Sequence, residues 1–537
     1  MKLPGALIAA LLAIFPLDRA LLAEGAGQAH TDAARRAAQP APAFLKSQNF
    51  RHYFDSFAAT DRELYPGYIT NGAAWDFLKH DIPLFECPDR DFESMYYFRW
   101  WTYRKHIQRT PEGFIISEFL PPVPWAGKDN SIDCAAGHHF YEGRWLADPR
   151  YLDDYSLFWF RKGGEPRRYS FWASDALWER YLVTGDPRLM RELLPDLVGN
   201  YEAWTKSQLG DNGLFWQTDD RDGMEVSLGG SGYRPTINSY LYGDAIAIAR
   251  IAQLAGRPEL ADEYRAKAAR LKRLVQEKLW NAHDQFFEVL PRDEEHLAGV
   301  RELLGFTPWY FNLPDPDKSA AWRQLMDPHG FYAPYGLTTA EQRNARFAIA
   351  YSGHECQWNG PSWPYATSVT LTALANLLNH YQQKFVSRRD YFDLLRIYTK
   401  SQHLRREDGR VVPWIDEDLD PHTGIWIART LLKERGWSIP ERGKDYNHST
   451  YCDLIITGLI GLRPNATDIV EITPLVPAGQ WDYFCLDNVP YHGHRLTILY
   501  DETGKRWNVG KGLRLFADGK EIARAKHLER LNGKLPD

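Results

Sequence analysis

Cysteine is scarce, with five in 537 residues (Cys87, Cys134, Cys356, Cys452 and Cys485) and none in a Cys-x-x-Cys spacing. No structural zinc site is implied, and the odd count leaves at least one thiol unpaired within the chain. Buried free thiols are the expectation. Positive charge is not in excess either. Lys and Arg number 64 against 70 Asp and Glu, a net charge of -6, mixed along the whole length without a basic stripe. Nucleic acid is therefore not an expected partner. Long apolar runs are missing as well. Ala6 to Leu17 follows Met1-Lys2 and is broken by Asp18-Arg19, too short to span a bilayer comfortably. With small residues near Ala23 and at Gly27 to Ala29, residues 1-29 read as a secretory leader cleaved near 23 or 29. The mature chain is expected to be exported, periplasmic or secreted, without a membrane segment.

Aromatic residues, by contrast, are abundant, at 14% with 20 Trp. Most of these indoles are expected in helix packing. The remainder are suited to a sugar cleft, where flat rings lie against the C-H faces of pyranoses.

From about residue 45 to 465 the chain is helically periodic. Phe171 to Val183 and Leu189 to Trp204 are separated by Thr184-Gly185-Asp186-Pro187, and Ile237 to Ala255 and Glu259 to Trp280 by Gly256-Arg257-Pro258. Gly after one helix and Pro at the start of the next is helix stop-start chemistry. Further helices are predicted at Trp363 to Tyr381, Ser387 to Gln402, Thr423 to Arg435 and Ser449 to Leu462. Repeated hairpins whose long loops carry Trp, Asp, His and Arg suit a closed helical toroid with a cleft at one end. Beyond about 465, short strands are predicted at Ile469 to Pro474, Tyr483 to Val489, His494 to Tyr500, Trp507 to Val509 and Leu513 to Ala517, with Asp518-Gly519 as a hairpin turn.

Three loops stand out. Asp219 to Glu225 and Asp416 to Gly424 concentrate carboxylates, and between them lies Gln357-Trp358-Asn359-Gly360-Pro361-Ser362-Trp363-Pro364. One acid and one base beside an aromatic-walled slot is the requirement for cleaving a glycosidic bond: one group protonates the leaving oxygen and the other activates water. Trp358 and Trp363 could hold a sugar face, and the amides of Gln357 and Asn359 suit sugar hydroxyls. Trp125 to Trp145 is expected to be a long loop that lines the pocket through Trp125, Asn130, His138 and Arg144. His138-His139 is not a metal motif, because adjacent side chains point apart. Arg234, opening the helix after the acid loop, is free to reach a hydroxyl or a carboxylate. Asp445 and Tyr446, within Lys444 to His448, are further cleft contributors, and Arg99-Trp100-Trp101 reads as core.

The hairpin order, Trp358 to Trp363 and Glu417 to Gly424 resemble the trehalase-like six-hairpin glycosidases, closest to glycoside hydrolase family 63 and its mannosylglycerate-hydrolase-like members. The resemblance covers roughly residues 170 to 465. It implies a mainly α fold, an (α/α)6 toroid over 30-465, followed at 466-537 by a small C-terminal β-sandwich-like domain. It also implies an inverting, exo-acting hydrolase of carbohydrate, on α-linked glucose- or mannose-like units. Glu225 falls in the family's acid position, which carries Asp there, so the carboxyl reaches one methylene further; Asp222 and Asp220 are the alternatives. Glu417 falls in the base position, with Asp416 as alternative. No cofactor or metal is expected, since carboxylates and hydrogen bonds can serve an oxocarbenium-like transition state. The rival readings are a uronate lyase or epimerase using His138 or His139, Tyr141 and Arg144, and a non-catalytic glycan-binding protein.

Overall fold

The computed structural model describes residues 44–537, so the leader expected at residues 1-29 lies outside the described residues. The helices, in chain order, are α1 (Arg51–Thr60), α2 (Ala74–Asp81), α3 (Arg90–His106), α4 (Ala136–Gly143), α5 (Arg150–Arg161), α6 (Ala173–Thr184), α7 (Arg188–Gln208), α8 (Pro235–Leu254), α9 (Pro258–Lys278), α10 (Thr307–Tyr310), α11 (Pro364–His380), α12 (Arg388–Ser401) and α13 (Ile427–Glu434).

The stop-start signals act as read. Gly185 ends α6 at φ +70° and Gly256 follows α8 at φ +68°, a region glycine enters without a Cβ penalty. Pro258 opens α9 and Pro364 opens α11, where the missing N–H would have had no partner. Successive helices then bury their apolar faces against one another: α4 packs on α6, α6 on α8, α8 on α10, α10 on α11 and α11 on α12. At the far end α12 packs against α3, the helix that precedes α4 in the chain. Arg99 of α3 donates to Tyr398 Oη at 3.1 Å and to Gln402 Oε1 at 2.9 Å, so the Arg99-Trp100-Trp101 run is core with a buried polar clasp.

Two helix predictions change. The segment predicted as Thr423 to Arg435 starts only at Ile427, because Asp420 accepts the His422 and Thr423 N–H groups in a turn and Asp418 Oδ1 accepts Ala428 N–H at the helix start. In Ser449 to Leu462 the regular portion is a π-helical stretch, Leu454–Leu459. There a Cβ on Gly458 would collide with Tyr391 Oη, and Gly461 turns the chain out at φ +85°. Residues expected as loop at 136–143 are helical, as α4.

The C-terminal strands form an antiparallel five-stranded sheet in the order Leu84–Glu86, Tyr483–Tyr491, His494–Asp501, Gly512–Ala517, Lys520–Ala525. Its first strand comes from the N-terminal part of the chain, a pairing no local pattern announces. Asp518 and Gly519, at φ +49° and +78°, make the hairpin turn. Trp507–Val509 is a bend instead of a strand. Arg506 lies 3.5 Å over the Tyr483 ring there and 5.5 Å from Trp507, holding the segment by its side chains. A second sheet joins Leu462–Arg463, Ile469–Ile472 and Leu531–Lys534. No described helix is long and apolar enough to cross a membrane.

Candidate active site

Loops between helices converge through main-chain hydrogen bonds. Trp358 N–H donates to Glu225 C=O at 3.1 Å, tying the tryptophan loop to the acid loop. Ser362 and Leu419 exchange two bonds of 2.9 Å, tying the tryptophan loop to the base loop. Asp445 N–H donates to Ile415 C=O at 3.0 Å, and Asn447 N–H to Glu118 C=O at 3.1 Å, bringing in the segment after α13 and the one before α4. Ser170 N–H donates to Arg221 C=O at 3.0 Å, which fixes the far side of the acid loop.

Glu225 is half-buried, and burial first, then the carboxylates of Asp220 and Glu417, push its pKa up to about 7. Val226, the next residue, sits at φ +67° and is exposed. A β-branched residue there is strained, and such strain collects at functional sites. Asp222 does a different job. It is fully buried, accepts Arg234 Nε at 2.7 Å and takes the Thr236 hydroxyl on the same oxygen. Arg234 also donates to Ser227 Oγ at 3.1 Å and to Gly230 C=O, so the guanidinium is the pin of the acid loop, away from any substrate hydroxyl. Asp220 is exposed beside Arg221.

Glu417 is fully buried, and Arg442 grips it through Nε (3.0 Å) and Nη2 (2.7 and 2.9 Å), the bidentate fit of guanidinium to carboxylate. Arg442 Nη1 also holds Glu355 at 3.0 Å, and Cys356 Sγ lies 3.4 Å from Glu417 Oε2. The other acids of this loop have structural partners: Asp416 accepts Trp414 Nε1 and Glu417 N–H, Asp418 the start of α13, and Asp420 its own turn. Burial raises Asp416 to about 6. Gly443 makes the approach of the Arg442 segment possible, since a Cβ there would collide with Asp416 Oδ1.

Aromatic rings cluster around these loops. Trp358 and Trp363 stack at 4.8 Å and 15°, Tyr446 and His448 stack at 3.9 Å, and Phe119 lies 4.5 Å from Tyr446. Half-buried Trp125 sits 5.1 Å from the Arg442 guanidinium. Several buried polar atoms here have no partner among the described residues: Trp358 Nε1, Asn359 Oδ1, His448 Nε2 and both ring nitrogens of His138. Trp172 and Tyr365 meet His138 edge-on, while His139 turns the opposite way to Tyr155 and Asn447 C=O, so the adjacent pair does point apart.

Other expected contacts serve the frame. Gln357 donates to three carbonyls of the 350–354 segment, and Asn130 closes the 119–123 turn. Asp445 is held between Lys105 (2.6 Å) and Lys444 (2.8 Å). Arg144 is paired with Asp453 and Glu179, and Tyr141 donates to Asp175, so neither joins the carboxyls of the slot.

Motif reading missed Glu118, Phe119 and Arg442. Glu118 is buried, accepts the Tyr446 hydroxyl and has Glu417, Asp133 and Glu225 as its acidic neighbours. Its one sequence signal is an acid inside the apolar run Phe114 to Leu120.

Residues 128–449, which contain both Glu225 and Glu417, match the family model described as Mannosylglycerate hydrolase MGH1-like glycoside hydrolase domain. The chain belongs to the MGH1-like glycoside hydrolase family. Residues 462–524 match the Glycosyl hydrolase family 65, C-terminal domain. This MGH1-like chain is 46% identical to a solved protein named Sialidase, with a TM-score of 0.86, over 91% of its own length and 45% of the other. It thus spans less than half of that relative. The GH63 mannosylglycerate hydrolase from Thermus thermophilus, in complex with Tris, aligns at a TM-score of 0.50 and 13% identity, covering 68% of this chain and all of that one. A GH78 family rhamnosidase of Bacillus sp. GL1 aligns at 0.52 and 11% identity, over 81% and 41%. At such identities these two speak for the fold alone.

Proposed function

We propose that the protein is an exported, exo-acting, inverting glycoside hydrolase, with Glu225 as the general acid and Glu417 as the base. The observation that carries this is the placing of two carboxyls in unlike surroundings. Glu225 keeps its proton to about pH 7 in a half-buried position that solvent can resupply, while Glu417 lies in the two-pronged grip of Arg442. A carboxyl kept protonated by burial and a second one on a separate loop are the acid and the base that such a cleavage needs. Glu225 would protonate the glycosidic oxygen as the C–O bond breaks. Water activated by Glu417 would attack the anomeric carbon from the other face, inverting it. Stacked Trp358 and Trp363, with the unpartnered polar atoms around them, suit a sugar ring and its hydroxyls.

The packing of α12 against α3 supports closure of the helices into an (α/α)6 toroid, with the strands after about 465 as its appended β-domain. The leader read in residues 1-29 supports export. The substrate would be an α-linked glucose- or mannose-like unit.

The test is sugar release from α- and β-linked oligosaccharides, plant glycans and sialosides, with Glu225→Gln alongside and the anomer of the first product read by NMR. Release that falls about 10²–10⁴-fold in the variant, with inversion, supports the reading. Retention of configuration, or full activity in the variant, sinks the assignment.

A further inference from the structure

Glu118 lies ahead of the segment that matches the family model, at residues 128–449, yet both motif carboxyls are among its acidic neighbours. It is 5% exposed, with Oε1 accepting the Tyr446 hydroxyl and Oε2 without a partner among the described residues. No described ion pair joins it to a cation. Its acidic neighbours are Glu417, Asp133 and Glu225. The remaining titratable groups around it, Tyr446, Tyr155, Tyr169 and Cys134, are neutral at pH 7, since burial pushes each of them up. Burial, followed by these carboxylates, lifts Glu118 to about 8. A carboxyl in these surroundings is an acid and a hydrogen-bond donor.

We propose that Glu118 is a substrate-contacting acid of this centre: its Oε2–H donates a hydrogen bond to a hydroxyl of the sugar held between Glu225 and Glu417, while Tyr446 fixes the carboxyl through Oε1. This rests on the hydrolase reading above. The division of labour follows from exposure. Glu225, half-buried, can be reprotonated by solvent after each turnover, whereas Glu118 is enclosed and keeps its proton throughout. Glu118 is therefore a fixed neutral donor, one that orients the sugar without adding a negative charge beside Glu225 and Glu417.

The decisive experiment follows kcat/KM against pH in the wild type, Glu118→Gln and Glu118→Ala, with infrared difference spectra of the same proteins between about pH 6 and 9. In the wild type the alkaline limb should fall with the loss of two protons, one from Glu225 and one from Glu118. In Glu118→Gln it should fall with one, and the protonated-carboxyl band that titrates in this range should vanish. The Gln variant, whose amide still donates, should keep at least about tenfold more activity than the Ala variant. A one-proton limb in the wild type, a limb unmoved by Glu118→Gln, or equal losses in the two variants overturns the proposal, as does an active wild type with no band belonging to Glu118. A purely structural Glu118 would change melting temperature without changing proton count. Should the Ala variant fail to fold, the Gln limb and its band still decide. A wild-type protein that releases no sugar at all overturns the hydrolase reading, and the contact falls with it.

Discussion

Trp358 N–H donates to the Glu225 carbonyl at 3.1 Å, so the residue proposed to hold the sugar also holds the residue proposed to protonate it. The tie runs through the main chain, so a side-chain change at Trp358 should act on binding and leave the acid in place. Trp358→Phe keeps the main-chain bond and a ring but loses stacking area against Trp363. We expect KM to rise several-fold, with kcat changed much less, measured by steady-state kinetics on the substrate found in the panel. An equal fall in kcat with KM unchanged would place the ring's role at the transition state.

The raised pKa of Glu225 has a thermodynamic counterpart. A carboxyl whose folded pKa stands near 7, against an ordinary 4.5, binds more protons folded than unfolded between those values. Its contribution to stability is then present below about pH 4.5 and is lost as pH rises toward 7. Glu225→Gln removes that loss. The variant should unfold at higher denaturant than wild type at pH 8 and match it near pH 4. The gain is some fraction of about 3 kcal/mol, since the group is half-buried and solvent screens it. Urea midpoints at the two pH values check the sign.

How far the sequence reaches is clear from these loops. The two carboxylate loops were legible because each is a contiguous stretch with its own pattern, and α6 to α9 because Gly185, Gly256 and Pro258 punctuate them. Arg442 and Glu118 were not readable. Their partners, Glu417 and Tyr446, are 25 and 328 residues away, and no local spacing encodes such pairings. Arg144 misled in the opposite direction: an arginine in a polar, aromatic stretch looks available until Asp453, 309 residues downstream, is found on it. Trp507 to Val509 alternates like a strand, but Arg506 packs on Tyr483 and Trp507 and bends it.

Arg442 neutralises two acids at once. Arg442→Met would leave Glu417 without its counter-charge in a buried setting, while Glu355 keeps Arg435 at 3.1 Å; a broken buried pair costs about 3–5 kcal/mol. Activity should be lost, and the chemical-denaturation midpoint should fall. The double variant Arg442→Met with Glu417→Gln should recover part of the stability and none of the activity. A double variant no more stable than the single one would mean that Glu417 is not the source of the loss.

Asp222 and Glu225 are separated by two residues and by function, and their variants should separate as well. Asp222→Asn weakens the pin with Arg234, which also holds Ser227 and Gly230 C=O, so the whole acid loop loosens. The expected result is a loss of about 3 kcal/mol or more in unfolding free energy with the alkaline limb of kcat/KM kept at its wild-type position, because the titrating acid is still Glu225. Were Asp222 itself the acid, the alkaline limb would disappear in Asp222→Asn and survive in Glu225→Gln, and the roles argued here for the two carboxyls would have to be exchanged.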